Sequence, residues 1–303
     1  MLSNLPSLLR AGKPDSHKRN WEKTDMAKMT DIGDVELWTE ITGVGDPVLQ
    51  IHGAGFGHYN FTPLSPILAE RFMIIDYDQR GFGESGRADD GYSIEAWADD
   101  AAKLLNALGI SKAHIHGTSM GGMVAQVFAG KYPELTQSVV INCSAAQLGR
   151  NGRLIFQNWI DIVELDPAGP GSRILAELIS WEALSASYME SESGQAAVDQ
   201  LQEILTKINT AGPLVASFRA MQDMDLREWV KKIEAPALVL GGDLDLMTPW
   251  DQGPKGAGQQ WIADNLRNGE AYVIRGGGHS TPFDSTQEHA RVVGDFFTKH
   301  PIS

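Results

Sequence analysis

The sequence from 114 to 134, HIHGTSMGGMVAQVFAGKYPE, constrains the fold most, because it joins a strand-like run to a helix-like run through a cluster of glycines. Ser119 stands at this junction, flanked two residues away by Gly117 and Gly121. Residues without side-chain bulk at those two positions allow a very tight strand-to-helix turn that lifts a serine hydroxyl out of the fold. The pattern is a weak signal in a chain with 32 glycines, so a nucleophilic role for Ser119 requires partner residues elsewhere.

Strand-like and helix-like segments alternate along most of the chain. Short apolar runs such as PVLQIH (47–52), FMIIDY (72–77) and SVVINCS (138–144) suit buried parallel strands. The segment SIEAWADDAAKLLNALGI (93–110) places apolar residues on one face of a helix, after a serine suited to the N-cap. This order predicts an α/β fold class: a doubly wound, mostly parallel sheet with right-handed crossovers.

The alternation stops at about residue 148 and resumes with PALVLGGD (236–243). Only helix-like stretches lie between, which predicts a helical lid inserted after the sixth strand, since insertions over the carboxyl edge of such sheets commonly form lids. The predicted parts are an N-terminal extension of low order (1–30), the core (31–147 and 228–303) and the lid (148–227). The extension has two other interpretations: residues upstream of a later start at Met26 or Met29, and a basic arm that contacts a membrane.

The charge of the chain disfavours nucleic acid as a partner. Its formal net charge is −14, and because the first 30 residues are net basic, the remainder is still more acidic. No apolar run approaches the roughly 20 residues that span a bilayer, and the first residues, MLSNLPSLLR, lack the features of a signal peptide. Cys143 is the single cysteine, which fits a reducing compartment. We expect a cytoplasmic protein that acts on a small molecule, with homo-oligomer formation left open.

Two candidate partners of Ser119 follow the strands at which the alternation resumes. A serine hydroxyl is a poor nucleophile at neutral pH and needs a base that takes its proton and a carboxylate that orients the base. Asp245 lies in a loop just after the strand PALVL, and His279 follows three glycines after the strand AYVIR. Each candidate therefore reaches the same edge of a parallel sheet, in the chain order Ser, Asp, His. Asp243 is the competing acid.

Five motifs occur in an order that resembles the α/β-hydrolase superfamily. They are HGAG (52–55), DQRGFGES (78–85), GTSMGG (117–122), GGDLDLMTP (241–249) and GGH (277–279). The resemblance covers about residues 33–147 and 228–303, and implies that Ser119 is the nucleophile, Asp245 the acid and His279 the base. Asp245 is favoured over Asp243 because the family usually places the acid three residues after this glycine and four before the proline.

The resemblance also implies an oxyanion hole and a reaction. The backbone N–H groups of Met120 and Ala54, with Gly55 as the alternative to Ala54, are expected to bind the negative charge that develops on the substrate oxygen. The stretch GTSMGGMVAQ is similar to enol-lactonases and small-ester hydrolases, which predicts hydrolysis of a carboxylic ester or a lactone through an acyl-enzyme. No cofactor and no catalytic metal are expected, since the mechanism needs neither and no cluster of His, Asp or Cys has zinc-site spacing.

Other functions stay open. The loop HGAGFG resembles the HGSGPG of hydrolases that cleave carbon–carbon bonds, but Ser280 stands where those enzymes usually carry an aromatic residue. DQRG also occurs in proline iminopeptidases, whose nucleophile usually has a tryptophan neighbour, and this chain has Thr118 and Met120. Some superfamily members are small-molecule receptors or carry out cofactor-free oxygen or peroxide chemistry.

Several aromatic and histidine residues have plainer interpretations. His52, His114 and His116 lie in or beside buried strands and are expected to be structural. The lid residues expected to pack its helices, with two or three of them touching a ligand, are Phe156, Trp159, Trp181, Tyr188, Phe218 and Met221.

Overall fold

The computed structural model describes residues 27–88, 90–166 and 173–302. Within them, one sheet of eight strands runs in the order β1-β2-β4-β3-β5-β6-β7-β8. The strands are β1 Lys28–Asp31, β2 Glu36–Thr42, β3 Pro47–Ile51, β4 Met73–Tyr77, β5 Ala113–Thr118, β6 Thr136–Asn142, β7 Ala237–Gly242 and β8 Gly269–Ile274. The pairs β1–β2 and β2–β4 are antiparallel and all other neighbours are parallel. The predicted α/β fold class with a mostly parallel sheet is confirmed.

Burial follows the position of each strand in the sheet. The central strands β4, β5 and β7 are buried at every residue, as expected of parallel strands covered on both faces. Strand β2, near the edge, alternates buried and more exposed residues over its first half. Alternate residues of the strands face two apolar layers, one packed against the second and third helices and the other against the first and last. The sheet is therefore doubly wound.

Helices connect the strands of the first part of the core. They are α1 Ser65–Leu68, α2 Ile94–Leu108 and α3 Met120–Lys131, with a 3₁₀ turn at Gly57–Phe61. Helix α2 begins where the sequence predicts, because the Ser93 side chain accepts a hydrogen bond from the Ala96 N–H. It ends at Gly109, which takes the left-handed conformation with φ 71°.

A helical insertion separates β6 from β7. It consists of α4 Arg150–Leu165, α5 Arg173–Ala183, α6 Ala186–Met189, α7 Glu192–Glu203, a π-helix at Ile204–Ile208, α8 Ala211–Asp223 and α9 Arg227–Val230. Its described residues contain no strand, and it follows the sixth strand of the chain. Helix α9 runs three residues past the predicted boundary at 227. The remaining helices are α10 Gln259–Asn265, α11 Thr281–Asp284 and α12 Thr286–Lys299.

The predicted N-terminal extension falls largely on residues 1–26, which lie outside the described residues. Strand β1 begins at Lys28, inside the range predicted for the extension, and pairs with β2 in antiparallel register. None of the described helices is long and apolar enough to cross a membrane.

Candidate active site

Ser119 occupies a strained turn between β5 and α3. Its backbone has φ 58° and ψ −120°, a conformation that side-chain-bearing residues rarely adopt and that costs about 1–3 kcal/mol. A Cβ on Gly117 would lie 2.1 Å from the Gly121 carbonyl oxygen, and a Cβ on Gly121 would lie 1.9 Å from the Ile51 carbonyl oxygen. The two glycines therefore let β5, α3 and β3 approach closely enough to form the turn, and the turn presents Ser119.

His279 and Asp245 form a buried pair after strands β8 and β7. The His279 Nδ1 atom lies 3.0 Å from both carboxylate oxygens of Asp245. The two side chains are 5% and 0% exposed. In this arrangement Nδ1 carries the proton and donates a hydrogen bond to the carboxylate, which leaves Nε2 as the basic atom.

Hydrogen bonds from the loop after β7 keep Asp245 charged. Its Oδ1 accepts from the N–H groups of Met247 and Thr248, both at 2.9 Å, and its Oδ2 accepts from the Thr248 hydroxyl at 2.9 Å. The Gln259 amide donates to the same Oδ2 at 3.3 Å. Burial by itself would raise the pKa of Asp245, but the His279 ring and these hydrogen bonds hold the pKa below its ordinary value.

Asp243, the competing acid, lies elsewhere. Its carboxylate accepts from the Gly276 N–H at 2.7 Å and forms an ion pair with Arg275 at 3.2 Å. These contacts, led by the Gly276 hydrogen bond, lower the pKa of Asp243. The structure therefore brings Asp245, and not Asp243, to His279.

Ser119 and His279 line the same cavity, of about 370 Å³. The His279 Nε2 atom is buried and has no hydrogen-bond partner among the described residues, and no hydrogen bond joins it to Ser119. A buried basic nitrogen in the same cavity as a strained serine is suited to proton transfer during nucleophilic attack.

Of the two predicted oxyanion donors, Ala54 borders this cavity, and Met120 directly follows Ser119 in the chain. We call residues 53–57 the oxyanion loop, and Ala54 in it lines the cavity together with Ser119. Neither the Ala54 N–H nor the Met120 N–H donates to an atom of the described residues. At the start of the loop, the Gly53 N–H donates to Asn60 Oδ1 at 2.7 Å, and the His52 ring lies 2.7 Å from the Gly53 carbonyl oxygen.

Histidine 52 has the structural role expected from the sequence. Its Nε2 accepts from the Gln79 N–H at 2.9 Å, which assigns the proton to Nδ1. Burial lowers the pKa of His52 to about 4, so the ring is neutral near pH 7.

The helical insertion forms the opposite wall of the cavity. Phe156 and Trp159 on α4 line it, and the Trp159 indole N–H donates to the Glu182 carboxylate at 2.8 Å. Burial raises the pKa of Glu182, although the Trp159 hydrogen bond and the His279 ring act in the opposite direction. Behind this wall, Phe218 packs against Phe156 and Trp159.

The other aromatic and apolar residues considered in the insertion differ in burial. Met221 is buried, Tyr188 is half-buried, and Trp181 is 63% exposed. Only Phe156 and Trp159 of the six considered contribute to the wall beside Ser119.

A second cavity, of about 390 Å³, shares four lining residues with the first: Phe56, Ile179, Ala183 and Ser280. It extends toward Tyr59 and the apolar residues Leu201 and Ile204 of the insertion. Among the described residues that line the two cavities, none is a lysine or an arginine.

Cys143 lies next to the Asp245–His279 pair. Its Sγ and one ligand atom of each partner are within 4.8 Å of one another, a grouping that could in principle hold a metal ion. Burial, followed by the charge of Asp245, raises the pKa of the Cys143 thiol well above its ordinary value. The Cys143 Sγ also lies 3.8 Å from the Gly278 carbonyl oxygen and 3.8 Å from the Thr281 hydroxyl.

The sequence model of the alpha/beta hydrolase fold matches residues 46–286. The chain belongs to this family. This α/β hydrolase is 31% identical over 224 residues to RutD of Azorhizobium caulinodans, a protein named as a carbamate hydrolase. The match covers 72% of this chain and 80% of RutD. It is 26% identical over 273 residues to the 2-hydroxymuconate semialdehyde hydrolase of Pseudomonas sp. CF600, covering 85% and 89%.

Solved structures share the fold of this α/β hydrolase. A thermophilic esterase from Thermogutta terrifontis has a TM-score of 0.78 at 24% identity, covering 91% of this chain and 99% of the esterase. The enol-lactonase from Burkholderia xenovorans LB400 has a TM-score of 0.77 at 22% identity, covering 87% and 97%.

The α/β hydrolase site also contains residues that the sequence analysis missed. They are Asn60, Glu182, Thr248 and Gln259, whose contacts are described above, and Asn209 of the insertion. Four of them, Asn60, Glu182, Gln259 and Asn209, bond to groups that are distant in sequence or belong to the backbone, so no local motif identifies them. Thr248 lies in the motif GGDLDLMTP, three residues after Asp245, and this spacing is a signal that could have found it. Asn209 lies in the sequence NTAGP, which by itself indicates only a turn.

Proposed function

We propose that this α/β hydrolase cleaves a small, uncharged carboxylic ester or lactone through an acyl-enzyme on Ser119. The observation that carries the proposal is the Asp245–His279 pair, joined at 3.0 Å, with the free Nε2 in the same cavity as the strained Ser119. In this proposal His279 is the base and Asp245 holds its ring in one tautomer.

The reaction follows from the positions of these groups. His279 Nε2 takes the Ser119 proton as the oxygen attacks the carbonyl carbon, and the N–H groups of Ala54 and Met120 bind the resulting oxyanion. His279 then gives the proton to the leaving alcohol or enol oxygen. A water molecule, deprotonated by the same Nε2, hydrolyses the acyl-enzyme and restores Ser119. These steps require no cofactor.

The cavities support an uncharged acyl group. A carboxylate buried without a cationic partner is strongly destabilised, and the described lining offers no lysine or arginine. Glu182, behind Trp159, adds an acidic group on the same side.

Carbon–carbon bond hydrolysis is the second candidate. It is supported by the similarity to 2-hydroxymuconate semialdehyde hydrolase, which covers 85% of this chain. Carbamates, suggested by the similarity to RutD, belong to the same acyl chemistry as esters. Both substrate classes belong in the screen that follows the first experiment.

The first experiment measures intact-protein mass after treatment with a serine-directed alkyl phosphonate, together with turnover of p-nitrophenyl butyrate. The variants are Ser119→Ala and, as a matched control, Ser280→Ala, because Ser280 lines the same cavity. We expect one adduct and ester turnover in the wild type and in Ser280→Ala, and neither in Ser119→Ala. An adduct that persists in Ser119→Ala, or a wild type that neither reacts nor turns over, would contradict the proposal.

A further inference from the structure

The oxyanion loop needs support from outside itself. It turns at Gly55 and Gly57, whose φ angles are +83° and +62°. Glycine reaches such angles without steric cost, and for the same reason it does not hold them against other conformations. The start of the loop is held by Asn60 and His52, as described above, and inside the loop the Phe56 N–H donates to the Gly53 carbonyl oxygen at 3.4 Å. The middle residue, Gly55, is held from a different part of the chain.

Asn209 of the helical insertion makes that second connection. Its Nδ2 donates to the Gly55 carbonyl oxygen at 2.6 Å, and its Oδ1 accepts from the Gly83 N–H at 3.3 Å. Gly83 belongs to the loop that follows β4, so one side-chain amide joins two loops of the core. Asn209 is only 6% exposed. Without its side-chain amide, the buried Gly55 carbonyl oxygen and the Gly83 N–H would lose these hydrogen bonds, at a cost in free energy.

The local structure explains how Asn209 reaches these loops. The π-helix Ile204–Ile208 ends at Asn209, whose own N–H donates to the Ile204 carbonyl oxygen at 3.1 Å. The wider π-turn shifts the register of the chain by one residue, and such turns occur often at functional sites. Asn209 then takes an extended conformation, with φ −88° and ψ 162°, before α8 begins.

Two leucines, one before and one after Asn209 in sequence, pack close to Gly55. A Cβ on Gly55 would lie 3.2 Å from a Leu214 methyl and 3.6 Å from a Leu205 methyl. The two leucines flank Asn209 in sequence, one in the π-helix and one in α8. The insertion therefore contacts Gly55 by a hydrogen bond and by close packing at once.

We propose that Asn209 is a positioning residue for the oxyanion hole, so that the insertion completes the hole. Asn60 holds Gly53 and Asn209 holds Gly55, so the backbone is restrained on both sides of Ala54. The direction in which the Ala54 N–H points is thereby fixed. The inference rests on the proposed function, because it assigns Ala54 as an oxyanion donor. Since the oxyanion forms only during the reaction, loss of this support lowers kcat and leaves KM nearly unchanged.

The test compares Asn209→Ala and Asn209→Asp with Gln222→Ala. Gln222 is the matched control, because its amide also donates to a backbone carbonyl, that of Arg153, but within the insertion. Two quantities are measured: kcat and KM for p-nitrophenyl butyrate, and hydrogen exchange of peptides that cover residues 53–57.

We expect Asn209→Ala to lower kcat by about 10-fold or more, to change KM by less than about twofold, and to speed exchange in the oxyanion loop. Asn209→Asp lowers kcat at least as much, because its carboxylate still accepts from Gly83 but repels the Gly55 carbonyl oxygen. Gln222→Ala resembles the wild type in both measurements.

Unchanged kcat and unchanged exchange in Asn209→Ala would overturn the inference, as would a rise in KM alone, which would indicate a substrate contact instead. Should Asn209→Ala fold poorly, Asn209→Asp keeps the size of the side chain and decides by the same measurements. A wild type without esterase activity refutes the proposed function, while exchange in residues 53–57 still decides whether Asn209 holds the loop.

Discussion

Asp245 is a buried carboxylate that stays charged because its surroundings replace water. Two backbone N–H groups, the Thr248 hydroxyl, the Gln259 amide and the His279 ring all reach its two oxygens. Hydrogen bonds to a charged acceptor are stronger than those between neutral groups. The carboxylate is therefore held in place as well as ionised, which is what an orienting acid requires.

The role of Asp245 can be tested against its neighbour Asp243. We predict that Asp245→Asn lowers kcat by about 10³-fold or more, because an amide cannot hold the His279 tautomer that leaves Nε2 basic. Asp243→Asn keeps an acceptor for the Gly276 N–H and is expected to retain wild-type kcat. Steady-state kinetics on one neutral ester measure kcat for both variants. An equal loss of kcat in the two variants would refute the assignment of Asp245 as the orienting acid.

Glu182 is predicted to disfavour negatively charged substrates. Glu182→Gln keeps an acceptor for the Trp159 indole N–H and removes the acidic group near His279. The ratio of kcat/KM for p-nitrophenyl butyrate to that for mono-p-nitrophenyl succinate is expected to fall by about 10-fold, the effect of removing about 1.4 kcal/mol of repulsion. A ratio unchanged from the wild type would show that Glu182 has no part in charge selection.

The residues proposed to react could be selected from the sequence because each lies in a short motif at the end of a strand. Ser119, Asp245 and His279 are such residues, and the structure brings the last two together and places the first in the same cavity. Asn209 could not be predicted in this way, because its partners are backbone groups of two loops that only the tertiary fold brings near. Thr248 lies three residues after Asp245 in the same motif, so its contact with the carboxylate is local in sequence.

At the scale of elements, the tight turn before α3 depends on the absence of side chains. The closest approaches to Gly121 are backbone carbonyl oxygens of β3 and the residue after it, which cannot rotate away as a side chain can. Sequence patterns indicate the turn, since two glycines flank a serine. They do not show that the atoms that exclude a side chain at Gly121 belong to another strand, β3.

We predict that Gly121→Ala destabilises the protein by about 3 kcal/mol, since overpacking against backbone requires the helix to move. Gly212 in α8 is the matched control, because a Cβ there meets nothing within 4 Å. Gly212→Ala should change stability by less than about 1 kcal/mol, in the stabilising direction. Chemical denaturation measures both, and similar stability of the two variants would contradict the steric explanation.

Periodicity predicted most elements but missed β1 and the π-helix. Strand β1 has four residues and forms by pairing with β2, so its sequence KMTD carries little signal of its own. The π-helix Ile204–Ile208 continues the apolar pattern of α7, and nothing in that pattern marks the change of hydrogen bonding.

At the scale of the whole molecule, buried ionisable groups have opposite effects on the free energy of unfolding as the pH changes. Burial lowers the pKa of His52 and His114 to about 4 and that of His116 to about 3. Burial also raises the pKa of Asp76 to about 7. The buried histidines stabilise the folded state above their ordinary pKa of 6.5, and this stabilisation is lost as the pH falls toward 4. Asp76 stabilises the folded state at acidic pH, and this stabilisation is lost as the pH rises through 7.

Between pH 7 and pH 5 the histidines outweigh Asp76. Each of the three loses about 2 kcal/mol of stabilisation over this window, and Asp76 gains about 2 kcal/mol. We therefore predict that the free energy of unfolding falls by a few kcal/mol from pH 7 to pH 5. Asp76→Asn should make that fall steeper by about 2 kcal/mol, measured by urea denaturation at both pH values. A fall that is equal in variant and wild type would contradict the raised pKa of Asp76.

The strands that flank the helical insertion are neighbours in the sheet, with Asn142 of β6 opposite Leu240 of β7. The chain therefore leaves and re-enters the sheet at adjacent positions, and the entropy of closing such a connection grows only slowly with its length. Evolution can lengthen, shorten or exchange this segment without rebuilding the sheet. In laboratory grafts between relatives, we expect the exchanged segment to need a residue equivalent to Asn209, because that side chain joins the insertion to the loop that contains Ala54.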